Sequence, residues 1–412
     1  MTPQEPAAPM PPAEPPSREA LAAVLKRSTI IAIISFLTLI DLFGAQALLP
    51  SLVEAYQVTP AAMGFAVNAS TIGMAIAGVT VALFSHGIDR KRGIWLSLAL
   101  LSIPTVLLGL TDDLVVFTLL RILQGVCMAT AFTLTLTYLS EECTVTAAGG
   151  AMAAYITGNV ASNLFGRLLG SEVAGVFGLA PSFFTFAALN LLGAAIAFFY
   201  IGRSSGPRPP RDRSVSRLRP WGEHLANPAL RSGFAIGFLL LFVFVGTFTY
   251  INFVLADAPY GLTQEELGRV YLVFALSILT TPLAAGVVKR VGTRPTFWGA
   301  MGLSALGLAL LLSGSFVLVL VALAVIGSAL FLAQASATAF IGRTAGHDHA
   351  VASGIYLTSY YVGGLIGALA LGEVFGAFGW TATVGVLIAA TLVACVLALN
   401  LGGRSPAPAP AE

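Results

Sequence analysis

Long apolar segments separated by short polar ones run through most of this 412-residue chain. A helix needs about 20 apolar residues to cross a bilayer. Segments that meet this length lie near 28–50, 59–85, 93–111, 114–139, 149–172, 181–202, 232–254, 267–288, 296–313, 316–340, 353–376 and 381–402. The pattern predicts an all-α membrane protein with twelve transmembrane helices in two six-helix bundles.

The same pattern divides the chain into five parts. We expect six-helix bundles over 28–202 and 232–402, joined by a basic cytoplasmic linker over 203–231. We expect disordered cytoplasmic tails over 1–27 and 403–412, because Pro- and Ala-rich segments of this kind cannot bury a core. The first apolar run has full spanning length, so it should remain as a helix and not act as a cleaved signal peptide.

Basic residues fall on one side of the predicted helices. Lys and Arg occupy the tails, the linker and the loops after the second and eighth helices, whereas acids such as Glu54, Asp112 and Asp257 occupy the opposite loops. Cytoplasmic loops carry the excess of Lys and Arg, so both termini are predicted to be cytoplasmic. Charged residues make up 10% of the chain. Soluble domains carry roughly 25%, which excludes a soluble fold.

Two stretches of the chain repeat one another. The segment 155–178 and the segment 356–379 coincide at many positions at a constant offset of 201, with Gly166 matching Gly367. An offset near half the chain length predicts two homologous halves. Small residues recur every fourth position and predict helix faces where another backbone approaches closely. The helix-packing glycines predicted from this spacing are Gly158, Gly166, Gly170, Gly363 and Gly367.

Charged residues at membrane depth are confined to the first half. Asp41, Arg121 and Arg167 all lie inside predicted spanning segments. Each costs roughly 2.5–3.5 kcal/mol at a helix centre even on the permissive insertion scale. At the offset of 201 Arg167 corresponds to Ala368, and aligning Gly125 with Gly327 makes Arg121 correspond to Leu323. This asymmetry indicates that the first half handles a charged species.

Two predicted cytoplasmic loops carry similar basic motifs. They resemble the D-R-x-G-R-K loop motif of the major facilitator superfamily, although the usual leading acid is missing from both loops. The residues that carry this similarity are Asp89, Arg90, Lys91, Arg290, Gly292 and Arg294.

The first and fourth helices carry motifs that the same superfamily uses in proton coupling. Arg121 is followed by Gln124 and Gly125, which is similar to the R-x-x-Q-G motif. Asp41 precedes a Leu-Pro pair, similar to an acid-then-L-P motif of drug/proton antiporters. The fifth helix keeps only the glycine skeleton of an antiporter motif, with Asn163 where Pro is usual. The resemblance implies proton coupling at Asp41 and Arg121.

The whole membrane portion resembles the major facilitator superfamily, and within it bacterial permeases described as arabinose or drug efflux proteins. This resemblance implies a multi-pass transporter of the bacterial inner membrane with a site between the bundles and alternating access. The expected partners are a small-molecule substrate, protons and the lipid bilayer, with no nucleic acid, and the expected working unit is a monomer. The sequence has no G-x-x-x-x-G-K-[ST] motif, so transport is expected to be secondary.

Uncharged polar and aromatic residues at membrane depth are the candidates for lining the substrate cavity. Each of them alone is more often an interhelix hydrogen bond, whereas together they are typical of a mixed polar and aromatic cavity. Together with Arg167, the candidate substrate-binding residues are Asn159, Asn163, Gln46, Asn68, Gln124, Tyr155, Tyr250, Asn252, Gln334, Tyr356 and Tyr360. We expect no cofactor and no metal, because the three cysteines are scattered and the histidines fall mainly in loops.

Several functions remain open from the sequence. Proton-coupled efflux of a small organic compound is the first interpretation, and import of a sugar or organic anion is the second, because Arg121 and Arg167 suit an anion. A non-transporting membrane sensor is a third, although it should carry an added soluble domain that the pattern does not predict. An enzyme is not expected, since no nucleophile and base lie at one depth. Packing or salt-bridge roles remain the alternatives for Asp41, Arg121 and Arg167.

Overall fold

The predicted apolar segments are helical in the computed structural model, which describes residues 18–84, 88–142, 145–202, 219–345 and 349–402. In the first half the helices are α1 (Arg18–Ala47), α2 (Leu49–Tyr56), α3 (Pro60–Asn68), α4 (Ser70–Phe84), α5 (Arg90–Leu108), α6 (Leu114–Glu142), α7 (Val145–Phe177) and α8 (Leu179–Tyr200). No strand occurs in these described ranges, so the prediction of an all-α protein is confirmed.

The second half begins with a short helix and continues with longer ones. Its helices are α9 (Arg219–Ala226), α10 (Pro228–Ala256), α11 (Gln264–Val270), α12 (Phe274–Thr280), α13 (Ala284–Val291), α14 (Thr293–Leu310), α15 (Phe316–Thr344) and α16 (His349–Leu397). Short 3-10 turns join α11 to α12 and α12 to α13, so the predicted eighth spanning segment is an interrupted helix. Non-helical backbone at Gly379, with φ of 76°, divides α16 into two helices.

Eight helical segments of the described chain are long and apolar enough to cross a membrane. They are Ser28–Ala47, Pro60–Val81, Arg90–Leu108, Leu114–Leu139, Leu179–Tyr200, Pro228–Ala256, Phe316–Thr344 and Val351–Leu401. The last of these includes the break at Gly379 and has length for two crossings. The predicted count of twelve spanning helices stays a prediction.

Two predicted boundaries are wrong. The sequence predicts disorder over 18–27, but α1 begins at Arg18, because this stretch is rich in the strong helix formers Ala, Leu and Lys. The predicted linker runs to 231, but α9 and the start of α10 lie inside it. Asn227 caps α10 by accepting from the backbone of Leu230, and Pro228 suits the first turn. The expected tails over 1–17 and 403–412, and the linker over 203–218, lie outside the described residues.

Helix pairs α1–α7 and α10–α16 pack in the same way, one pair in each half. A Cβ atom on Gly166 of α7 would lie 2.5 Å from the carbonyl oxygen of Ile40 on α1. A Cβ atom on Gly367 of α16 would lie 2.8 Å from the carbonyl oxygen of Phe242 on α10. Real Cβ atoms do not come so close to backbone, so glycine is required at both places. The other predicted packing glycines also face a neighbouring helix: Gly158 faces Ala32, Gly170 faces Gly44 and Phe186, and Gly363 faces Phe238.

Contacts between the halves follow two seams. Helices α3 and α4 pack against the first part of α16, and α7 packs against α11 and α12. At the start of α11, Thr263 and Glu266 form a reciprocal capping box. Hydrogen bonds from the backbone and side chain of Thr263 hold the pKa of Glu266 below its ordinary value. Of the three charged residues predicted at membrane depth, Arg167 lies on α7, which forms one of these seams.

Candidate functional site

Asp41 lies at the centre of a cluster built from four helices. Its Oδ2 atom accepts hydrogen bonds from Asn190 Nδ2 at 2.8 Å, Thr105 Oγ1 at 3.1 Å and Gln124 Nε2 at 3.4 Å. All four side chains are fully buried. The Oδ1 atom of Asp41 has no hydrogen-bond partner among the described residues. We call Asp41, Thr105, Gln124 and Asn190 the acid cluster.

The Thr105 hydroxyl in this cluster serves two acceptors with one hydrogen. Its Oγ1 lies 2.7 Å from the carbonyl oxygen of Leu101 and 3.1 Å from Asp41 Oδ2. The same oxygen accepts from Gln124 Nε2 at 2.7 Å. Asn190 Nδ2 also reaches this oxygen at 3.3 Å, so a proton on Asp41 is donated to Thr105 Oγ1 when the hydroxyl hydrogen points to Leu101 and one of the two amides turns away. The arrangement therefore has hydrogen-bonding positions for both forms of the carboxyl group.

Arg121 is connected to the acid cluster through Gln124. Its Nη1 donates to Gln124 Oε1 at 2.6 Å, and its Nε donates to the carbonyl oxygen of Val67 at 2.8 Å. Its Nη2 reaches Ser70 Oγ at 3.3 Å. The break between α3 and α4 brings these two acceptors within reach of the guanidinium. Within the described ranges no direct ion pair joins Arg121 to Asp41, although both residues are fully buried.

Arg167 lies on α7 in a second cluster, between the two halves. Its Nε donates to Asn163 Oδ1 at 3.0 Å, and its Nη2 donates to Gln46 Oε1 at 2.6 Å. The guanidinium carbon lies 4.3 Å from the ring centroid of Tyr271. Three more rings surround it at 5.7–6.0 Å, those of Phe43, Phe248 and Phe274. We call Arg167, Asn163, Gln46 and these four rings the arginine site.

Amide side chains extend the arginine site into the second half. Gln46 Nε2 donates to Asn68 Oδ1 at 2.8 Å, and Asn68 Nδ2 reaches Thr249 Oγ1 at 3.3 Å. Asn252 Nδ2 reaches the carbonyl oxygen of Gln46 at 3.3 Å, and Asn252 Oδ1 accepts from the Tyr271 hydroxyl at 2.6 Å. Of the predicted substrate residues, Asn163, Gln46, Asn68 and Asn252 thus lie beside Arg167.

The remaining predicted substrate residues lie elsewhere. Gln124 belongs to the acid cluster. Tyr155 and Tyr250 donate hydrogen bonds to the backbone oxygens of Phe132 and Ala368, which lie on other helices. Both tyrosines therefore make interhelix hydrogen bonds. Tyr356 and Tyr360 stack with centroids 6.2 Å apart. Asn159 and Gln334 are partly buried and are not among the side chains that accept from the Arg167 guanidinium.

The predicted loop-motif residues lie mainly at helix ends. Asp89 caps α5 by accepting from the backbone N–H of Arg92 at 2.8 Å. Arg90 and Lys91 follow in the first turn of α5, and the Lys91 ammonium lies 5.5 Å from the Phe198 ring. Arg290 lies in the last turn of α13, Gly292 separates α13 from α14 with φ of 98°, and Arg294 donates to the carbonyl oxygen of Leu399.

One end of the molecule is held together by Gln264. Its Nε2 donates to the carbonyl oxygen of Ala47 at 2.9 Å and to Ser171 Oγ at 3.0 Å, while its Oε1 accepts from Ser51 Oγ at 2.6 Å. We call these four residues the latch. Nearby, the exposed Arg269 forms an ion pair with Glu172 at 2.8 Å. The latch joins α1, α2 and α7 of the first half to α11 of the second.

Sequence reasoning missed several residues of both clusters. Asn190 is a lone amide in the apolar stretch of α8, and that isolation was a usable signal for a buried polar contact. Thr105 gave no such signal, because threonines in spanning helices commonly bond the preceding turn. Tyr271 and Phe248 are indistinguishable in sequence from core aromatics. Gln264 falls in a predicted external loop, where a polar residue is ordinary.

Comparison with known proteins agrees with this architecture. The profile of the Major Facilitator Superfamily matches residues 31–276 and 257–412. The inner membrane transport protein YnfM of Escherichia coli (strain K12) is 28% identical over 88% of this chain and 86% of its own length. The MFS-type transporter YybF of Bacillus subtilis (strain 168) is 26% identical over 87% of this chain and 89% of its own length.

A solved structure shows the same fold at low identity. It is a bacterial homologue of the human lysosomal transporter Spinster, in an inward-facing and occupied conformation. The match covers 96% of this chain and 100% of the solved chain, with 15% sequence identity and a TM-score of 0.75. The sequence profile, the relatives and the helical architecture are those of transporters and not of enzymes. This chain therefore belongs to the Major Facilitator Superfamily and is a multi-pass membrane transporter of that type.

Proposed function

We propose that this chain exports a small organic compound by proton-coupled alternating access, with Asp41 as the proton carrier. The observation that supports this most directly is the acid cluster. Asp41 is fully buried, and its hydrogen-bonding partners are neutral side chains. Neutral partners can reorient to serve either form of a carboxyl group, whereas a direct ion pair serves one form only. An exchange mechanism requires both forms to occur during the cycle.

A continuous series of contacts supports coupling between proton and substrate. Asp41 is bound by Gln124, which accepts from Arg121, and Arg121 donates to the carbonyl oxygen of Val67. The next residue, Asn68, accepts from Gln46, and Gln46 accepts from Arg167. In our proposal, protonation of Asp41 changes the contacts of Gln124 and Arg121 at the break between α3 and α4. This change alters the arginine site, and by linkage a substrate there alters proton binding equally.

The orientation of the chain is part of the proposal. The arrangement of Lys and Arg favours cytoplasmic termini in a bacterial inner membrane. The N-terminal end of α1 then faces the cytoplasm, and the latch beside Ala47 lies at the external end. The described state would be closed outside, and one chain would be the working unit.

Reporter fusions test this orientation. Alkaline phosphatase fused after Arg213 should be inactive, because the linker remains in the cytoplasm, whereas the same enzyme fused after Asp112 should be active. Green fluorescent protein at the two sites should give the reverse result. Activity of the phosphatase after Arg213 would reject the proposed orientation.

Asp41→Asn tests the coupling. We expect this variant to fold and to lose pH-gradient-driven transport down to the level of protein-free liposomes, because an amide cannot carry the proton. The measurement is flux per folded molecule in proteoliposomes, with a compound first selected by growth of a deletion strain against a panel. Asp112→Asn, which changes an exposed acid outside the cluster, should transport normally. Undiminished gradient-driven flux in Asp41→Asn would remove Asp41 from the mechanism.

Import of an organic anion is the second candidate, and Arg167 favours it. The direction of flux follows from comparing inverted vesicles whose lumen is acidic with right-side-out vesicles whose exterior is acidic. Export should appear as proton-driven accumulation in inverted vesicles, whereas proton-coupled import should appear in right-side-out vesicles.

A further inference from the structure

Arg167 is a buried cation whose hydrogen-bonding partners are neutral. Its guanidinium is completely inaccessible; it donates to the amide oxygens of Asn163 and Gln46 and also interacts with the neutral hydroxyl of Tyr271. Its Nη1 atom has no hydrogen-bond partner among the described residues. Burying a charge without a counter-charge is costly in a protein interior. A residue kept in this state at membrane depth is a candidate functional site by default.

A second donor beside Arg167 has no acceptor either. Asn163 lies one helical turn before Arg167, is fully buried, and is oriented by its bond to Arg167 Nε. Its Nδ2 atom has no partner within the part of the chain that the structure describes. Two adjacent side chains therefore offer N–H groups without acceptors, and one of them is charged. Such donors match an anionic oxygen group, because bonds to ionised acceptors are the strongest of this kind.

The surroundings of these donors indicate what kind of anion fits. The rings of Tyr271, Phe248, Phe43 and Phe274 lie 4.3–6.0 Å from the guanidinium carbon, and they come from both halves of the chain. Aromatic faces attract a guanidinium but provide no hydrogen-bond acceptor in its plane. They do provide an apolar environment for a flat or apolar body attached to the anion. A small inorganic ion would leave that environment unused.

We propose that Arg167 and Asn163 bind the carboxylate of an aromatic or similarly apolar organic acid, which is the cargo of this transporter. This inference rests on the transport function proposed above and names the substrate class. The carboxylate accepts from Arg167 Nη1 and Asn163 Nδ2, and the apolar body packs among the rings. Because the rings belong to both halves, the bound acid contacts both sides of the interface that opens during alternating access.

Thermal unfolding of the purified full chain in detergent tests the proposal without any gradient. Benzoate and benzamide are the probes, because they share a ring and nearly the same shape and differ in charge. We expect benzoate to raise the midpoint of unfolding of the wild-type chain in a concentration-dependent way, and benzamide to leave it unchanged. No benzoate effect, or an equal effect of benzamide, would overturn the proposal without any variant being needed.

Variants then locate the bound anion. In Arg167→Gln the benzoate concentration for a half-maximal shift should rise about tenfold to a hundredfold, the loss expected for a hydrogen bond to a charged group. Asn163→Asp places a carboxylate next to Arg167, so it should raise the midpoint of the free protein and abolish the benzoate response. Arg269→Gln changes an exposed arginine and should respond as the wild type does. A benzoate response that persists unchanged in folded Arg167→Gln or Asn163→Asp would show that the acid binds away from these two residues, and would overturn the proposal.

Benzoate binding and proton coupling can be tested independently of each other. Asp41→Asn should still bind benzoate in detergent, because the acid cluster does not touch the anion. Loss of gradient-driven flux with retained benzoate binding supports both proposals. Retained coupling with no benzoate binding supports the transport function and rejects the organic acid.

Discussion

Arg121→Leu should abolish proton-coupled transport and destabilise the folded protein more than substitution of any exposed arginine. The guanidinium donates to Gln124, to the carbonyl oxygen of Val67 and to Ser70, and all of these contacts are buried. Leucine leaves these acceptors without a donor and leaves the buried Asp41 without a nearby positive charge. Each buried acceptor left without a donor typically costs about 1–3 kcal/mol. Thermal unfolding and proteoliposome flux are the measurements.

Two controls make this result specific. Arg269→Leu removes an exposed ion pair with Glu172 and should leave the midpoint of unfolding nearly unchanged, because solvent and salt screen such a pair. Arg121→Lys keeps the charge but cannot serve three acceptors in one plane, so it should fold better than Arg121→Leu and still transport poorly. The double variant Asp41→Asn/Arg121→Leu should be less damaged than the sum of the single ones, because it leaves no unpaired charge. Simple additivity would show that the two residues act independently.

Gly166→Leu and Gly367→Leu should both prevent the accumulation of folded protein. Even a Cβ atom at these positions would lie 2.5 Å from the carbonyl oxygen of Ile40 and 2.8 Å from that of Phe242. The obstructing atoms are backbone, so the helices themselves would have to separate. Overpacking a close contact costs typically about 1–3 kcal/mol, and a whole leucine between two helices exceeds that range.

The matched control for this pair lies on the same helix as Gly367. A Cβ atom on Gly376 would have no heavy atom of another residue within 4 Å, so Gly376→Leu should leave expression and thermal stability nearly unchanged. The measurements are the yield of monodisperse protein and the midpoint of unfolding. Equal yields for Gly367→Leu and Gly376→Leu would show that the two helices do not need this close approach.

The sequence was sufficient for the features that depend on local spacing. Apolar run lengths predicted where the helices lie, and the four-residue recurrence of small residues predicted the face of α7 that meets α1. The cost of a buried charge was enough to select Asp41, Arg121 and Arg167 from the whole chain. Each of these features belongs to a single helix, so the residues of that helix are enough to predict it.

Partnerships between distant helices could not be predicted in the same way. Asn190 binds Asp41 across 149 positions of sequence, and Tyr271 reaches Arg167 only because α7 packs against the interrupted helix after α11. The same interruption was hidden, since the 3-10 turns at Tyr271–Val273 and Thr281–Leu283 occur in a continuous apolar run. Such contacts depend on tertiary packing, which the apolar pattern leaves unspecified.

The chemistry of the latch determines how the transport cycle should respond to its surroundings. Gln264 joins the halves through three hydrogen bonds between uncharged groups. Each such bond is worth about 1 kcal/mol net, so the three together contribute on the order of 3 kcal/mol to the closed form at this end. Ions in solution screen charges but not amide hydrogen bonds. The latch itself should therefore be nearly insensitive to ionic strength, and salt should favour opening at this end only slightly, by screening the exposed ion pair between Arg269 and Glu172.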